Sequence, residues 1–153
     1  MQTAKSYKQS DRPSVPRPDS FGSFEKILLV SGMALAPGVK DALEGNLYDV
    51  DCVHTAADGV RKIIARDYDL IICDVLAPGF PAEMFHFGVN RLKPHLARNF
   101  IFITGHEIDV RLNQFIRKTG AMVLWTPLEM HLLFEAVNTV LHKSAAHAVR
   151  LAA

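Results

Sequence analysis

Long apolar runs, cysteine pairs and an excess of charge of either sign are all missing from this 153-residue chain. No apolar stretch approaches the ~18 residues needed to cross a bilayer. Polar Gln2, Lys5 and Lys8 stand where a signal peptide would carry its apolar core, so a cytoplasmic protein is expected. Seventeen Lys and Arg against sixteen Asp and Glu leave a net charge of +1. That balance supplies no field to draw in nucleic acid or an anionic membrane. The two cysteines, Cys52 and Cys73, sit in separate apolar runs and make no CxxC pair, which reads as reduced core thiols. The seven histidines are scattered over different segments and form no metal-ligand cluster; His106 alone falls in the loop after Thr104, at the carboxyl edge of the expected sheet. What is present is 49% hydrophobic residues, enough to fill the core of one domain of this length.

Residues 1–23 carry Pro13, Pro16 and Pro18 with scattered serines and charges and no periodicity, and read as a flexible tail. The domain is expected over 24–143. Lys26 to Val30 is a short buried strand, and Leu35, Val39, Ala42 and Leu43 recur at helical spacing before Gly45-Asn46 closes that helix. Tyr48 to Val53 alternates apolar and acidic residues, as a strand near a sheet edge does. Val60, Ile63 and Ile64 form the inner stripe of a second helix. Leu70 to Cys73 is an unbroken apolar run of strand length, ended by Asp74 and punctuated by Pro78-Gly79. A third helix follows from about Pro81 with Phe85, Val89 and Leu92 inward, bent or ended by Pro94.

Phe100 to Ile103 is a fourth strand, and a helix with Leu112, Phe115 and Ile116 runs to a Gly120 stop. Ala121 to Trp125 is the fifth strand. Leu133, Ala136, Val137, Val140 and Leu141 face inward on a last helix, which residues 144–153 either prolong or leave to fray. Five strands alternating with five helices predict a doubly wound α/β fold with a parallel sheet and right-handed crossovers. Asp74 then stands at the carboxyl edge of a central strand, where open α/β sheets place their ligands.

Three segments, Tyr-Asp-Leu-Ile-Ile-Cys-Asp-Val-Leu-Ala-Pro-Gly at 68–79, Phe-Ile-Phe-Ile-Thr-Gly at 100–105 and Lys-Thr-Gly-Ala-Met-Val-Leu-Trp-Thr-Pro at 118–127, resemble the receiver domain of two-component response regulators in order and spacing. The resemblance covers about Glu25 to Lys143. It implies a flavodoxin-like sheet of strand order 2-1-3-4-5, with Asp74 at the phosphoacceptor position and Thr104 at the family's hydroxyl position. Receivers hold Mg²⁺ with an acidic pair after the first strand and use a lysine after the fifth. Here the acidic pair aligns with Ser31 and Gly32 and the lysine with Thr126. Val123 stands at the family's switch aromatic, with Trp125 two residues on along the same strand face.

Mg²⁺ dehydrates reluctantly and depends on carboxylates, so this set of residues predicts little or no metal-dependent phosphorylation. The expected function is a receiver-like signalling module, not an enzyme, with no cofactor unless phosphorylation is real. Its partner is a histidine kinase or another signalling protein, or a second copy of the chain. Trp125, with Met130 and Phe134 on a second apolar stripe of the last helix, is the expected contact surface. Two other readings stay open: a working phosphoacceptor at Asp74, and a flavodoxin-like nucleotide or flavin binder using Ser31 to Gly38. That segment lacks the spacing of GxxxxGK[ST] and of GxGxxG. The absence of an effector segment after the last helix argues against DNA binding.

Overall fold

Ile27 to Val30, Leu70 to Asp74 and Phe100 to Thr104 are buried at every position, as strands covered on both faces must be. They are the three central strands of a five-stranded parallel sheet in a computed structural model that describes residues 24–32, 35–76, 80–105 and 109–152. In chain order the elements are β1 (Lys26–Val30), α1 (Ala36–Gly45), β2 (Asp49–Val53), α2 (Ala56–Ala65), β3 (Leu70–Asp74), α3 (Ala82–Leu92), α4 (Pro94–Ala97), β4 (Phe100–Thr104), α5 (Val110–Thr119), β5 (Met122–Trp125) and α6 (Met130–Ala152). The strand order is β2-β1-β3-β4-β5, as expected. The tail expected over 1–23, the Pro78-Gly79 turn and His106 lie outside the described residues.

Alternation along the strands divides the core in two. Ile27, Leu29, Leu70, Ile72, Ile101 and Ile103 point to the face covered by α1 and α6. Leu28, Val30, Ile71, Cys73, Phe100 and Phe102 point to the face covered by α2, α3, α4 and α5. Burying each such side chain contributes about 1.5–3 kcal/mol. On the second face Phe85, Phe100, Phe102 and Phe115 meet edge-on or tilted, with the half-buried His86 ring against Phe100 and Phe115. Gly59 lets α2 approach α3 closely: a Cβ there would lie 2.9 Å from the Phe85 ring.

Local signals in the sequence set the helix ends. Thr55 accepts from the Asp58 N–H and Asp109 from the Leu112 N–H as N-caps. Gly120 takes the left-handed conformation after α5, with φ 70°. The exit from α1 differs from expectation. Gly45 remains helical, Asn46 caps, and the positive φ falls on Leu47 at 68°.

Two expected inward residues face solvent. Ile64 is exposed because Gly59, Val60 and Ile63 already fill the inward face of the short α2. Leu92 is exposed because α3 ends at Lys93 and Pro94 opens α4, whose Leu96 and Ala97 take the buried positions instead. That extra turn makes six helices among the described residues, where five were expected. Cys73 is a buried free thiol, whereas Cys52, on the edge strand, is only half-buried.

Candidate functional site at the carboxyl edge of the sheet

Strand register gathers the candidate residues. Val30 pairs with Cys73, Asp74 with Ile103 and Thr104 with Trp125, so the exits of β1, β3, β4 and β5 share one edge. Ser31, Asp74, Thr104 and Thr126 all stand there, and the first three are buried, with relative exposures of 2%, 4% and 2%.

Asp74 is held at both carboxylate oxygens. Oδ2 accepts from the Ser31 hydroxyl at 2.7 Å, and Oδ1 accepts from the Leu76 N–H at 2.8 Å. A buried carboxylate needs such donors, because an unpaired one would ionise only at large cost. Ser31 is itself fixed on two sides. Its N–H donates to the Val53 carbonyl at 3.0 Å, and its carbonyl lies 2.7 Å from Nδ1 of His54, which therefore carries the proton. Next to the carboxylate, burial and the Asp74 charge push the Cys73 thiol well above its usual range, so it stays protonated.

The opposite side of the site is closed by β4 and β5. The Thr104 carbonyl accepts from the Thr126 N–H at 2.9 Å, fastening the cis Thr126-Pro127 turn to β4. The Thr104 hydroxyl lies 3.4 Å from the Gly105 carbonyl. Above it, a Cβ on Gly105 would come within 3.2 Å of the Leu76 side chain and 3.6 Å of the Thr126 hydroxyl. Leu76, the residue whose N–H caps Asp74, thus also lies over the exit of β4.

The acids of the neighbouring strand are engaged elsewhere. Asp51 accepts from Arg66 and from the Tyr68 hydroxyl, and Asp49 accepts from Arg66 at 3.2 Å. Asp49 pairs with Lys26 at the other end of the strands. Among the described residues no group of three or more His, Cys, Asp or Glu is placed to hold a metal ion.

Trp125 is 46% exposed and borders a groove of about 230 Å³ lined with Thr104, Asn113, Ile116, Arg117 and Val123. Val123 and Trp125 therefore share a face, as their spacing predicts. Met130 and Phe134 are half-buried and pack against the core on the α6 side, so much of that second stripe is covered within the fold. Two features of the site escaped the sequence reading. The Leu76 backbone cap carries no sequence signal. His54 could have been found, since it directly follows β2 and so stands at the same edge.

No protein-family model matches the sequence, and no curated protein does. Solved structures do match. A response regulator receiver domain protein (CheY-like) from Methanospirillum hungatei JF-1 is 23% identical with a TM-score of 0.73, covering 81% of this chain and 98% of that one. The fold is that of a response regulator receiver domain. The signal receiver domain of an HD domain-containing protein from Pseudomonas fluorescens Pf-5 superposes with a TM-score of 0.72 at 18% identity, over 83% of this chain and 93% of that one. That of a putative LuxO repressor protein from Vibrio parahaemolyticus gives 0.70 at 24%, over 82% and 96%. Within this receiver fold the β3 exit carries a carboxylate, the β1 exit a serine and a glycine, and the β5 exit a threonine.

Proposed function

We propose that the chain is a receiver-like signalling module that acts through protein–protein contact and carries little or no Mg²⁺-dependent phosphorylation at Asp74. The observation that supports this most is the Ser31 hydroxyl on Asp74 Oδ2, both groups buried. A hard divalent cation needs several oxygen ligands, preferably anionic. Here one carboxylate faces a neutral hydroxyl, with Gly32 contributing no side chain. The residues do not fit Mg²⁺. Thr126 supplies no positive charge to neutralise a transferred phosphoryl group, which is the chief requirement of that chemistry. Thr104 and Asp74 then serve as buried polar residues that brace the strand ends, and no catalysis is assigned to the chain.

The partner in this reading is a histidine kinase or another signalling protein, or a second copy of the chain. Exposed Trp125 and the groove beside it are the contact surface, while half-buried Met130 and Phe134 pack on the α6 side of the sheet and offer a smaller contact there. Among the described residues no helix is long and apolar enough to cross a membrane. The test incubates the protein with Mg²⁺ and acetyl phosphate, or beryllofluoride, and follows Asp74 by mass spectrometry and NMR. Unmodified Asp74 and unchanged resonances around Ser31 are expected. Stoichiometric modification at Asp74 would establish the working phosphoacceptor instead.

A further inference from the structure

The helices that cover the Val123 and Trp125 face of the sheet hold a second surface, on α3 and α4, that the site does not use. On α3 the residues Met84, Phe87 and Arg91 follow at spacings of three and four, so they share one face. That face points outward: Met84 is 76% and Phe87 63% exposed, while Ala82, Phe85 and Val89 on the other side are buried. Beyond the break at Lys93, α4 buries Leu96 and Ala97 and leaves His95 and Arg98 outside. The surface therefore is apolar at its start, with Met84 and Phe87, and carries the basic Arg91, His95 and Arg98 with the exposed Leu92 toward its end. Arg91 and Arg98 make no ion pair among the described residues, and His95 has only the nearby Asp67.

The helical kink that shapes this surface is pinned rather than loose. His86 Nε2 lies 3.1 Å from the Ala97 carbonyl, tying α3 to α4. The Lys93 ammonium donates to the Arg66 carbonyl at 3.2 Å and pairs with Asp67, tying both to the end of α2. A pre-formed surface loses little conformational entropy on binding. Large apolar side chains clustered on one exposed helical face mark contact sites in soluble proteins.

We propose that the outer face of α3 and α4 docks an amphipathic segment of a partner protein that carries apolar anchors at one end and carboxylates at the other. The apolar end seats on Met84 and Phe87 and the carboxylates on Arg91 and, past the break at Lys93, on Arg98. Charge complementarity selects this occupant. An anionic bilayer fits less well, because the exposed carboxylate of Glu83 stands beside Met84 where insertion would have to occur. This surface is separate from the Trp125 groove, and its test does not depend on the state of Asp74.

The probe is a designed amphipathic peptide of about four turns, Leu and Phe in its first half and Glu in its second, titrated into the isotope-labelled full chain. A counterpart with Lys in place of Glu and vesicles of anionic phospholipid are the other arms. Expected are shifts confined to 84–98, affinity that falls with added salt, and a loss of about tenfold or more in Arg91→Glu/Arg98→Glu. Phe87→Ser weakens binding without changing the salt dependence. All three substitutions are at exposed positions, and unchanged thermal melts check that the variants fold. The proposal is overturned by no binding of the acidic peptide, by equal binding of the Lys peptide, by shifts elsewhere, by vesicle binding that the same variants abolish, or by self-association through this face.

Discussion

Replacing Ser31 with Ala removes one of the two hydrogen bonds that hold the Asp74 carboxylate and leaves the Leu76 N–H as the other. Both residues are almost fully buried, so bulk water does not readily replace the lost donor. A hydrogen bond to a charged group contributes about 1.5–3 kcal/mol. The predicted cost of Ser31→Ala is therefore about 2 kcal/mol, which for a domain of this size lowers Tm by about 4–8 °C. In the Asp74→Asn background the same change removes only a neutral hydrogen bond, worth about 0.5–1.5 kcal/mol. A double-mutant cycle by urea denaturation should give a coupling of about 1 kcal/mol, with m unchanged. A cost of Ser31→Ala below about 0.5 kcal/mol, or equal costs in the two backgrounds, would refute the claim that the serine holds a buried charge.

Other parts of the fold carry three further expected outcomes. Replacing Ser31 and Gly32 together by Asp should destabilise the apo protein by carboxylate repulsion but make Tm rise with added Mg²⁺, where the parent shows no rise; a Cβ at Gly32 meets open space among the described residues. Leu47→Gly should stabilise by about 1 kcal/mol, read as a higher urea midpoint, because an exposed leucine with φ 68° carries a steric cost that glycine does not. Burial and the Asp51 carboxylate raise the Tyr68 phenol well above its usual value of 10.0. The folded state therefore keeps that proton where the unfolded chain loses it, and stability falls above pH ~10 by up to about 1.4 kcal/mol per pH unit. The raised Cys73 adds a decline of the same sign from pH ~9. Tyr68→Phe should flatten the part above pH ~10, and a denaturation series parallel to the parent's would contradict it.

The sheet was legible because its three central strands bury every side chain, and only continuous apolar runs satisfy that environment. The edge strand β2 was legible for the opposite reason: its alternating acids find partners in Arg66 and Tyr68 on the adjoining segment. Helical stripes were less secure at their ends. Ile64 and Leu92 fit the periodicity, but whether such a residue is covered depends on where the helix stops and how the chain continues past it. The Lys93-Pro94 break diverted the buried positions to Leu96 and Ala97. The site residues could be placed at one edge from strand ends alone. Their bonding could not, since the caps on Asp74 come from a serine 43 positions away and from a backbone N–H.

That bonding also separates what the fold needs from what phosphorylation needs. A carboxylate at a sheet edge is costly to bury unless donors meet it, and metal ions are one way to meet it. In this chain a serine hydroxyl and a backbone N–H do so with neutral groups, and the serine is anchored to the β2 exit through Val53 and His54. Both Asp74 carboxylate oxygens are thus met by neutral donors. A buried aspartate at this edge of a receiver fold is therefore not by itself evidence of phosphoryl transfer. The informative residues are the ones that face it: had Ser31 been acidic, two adjacent buried carboxylates would need a shared proton or a cation between them, a demand that the serine does not make.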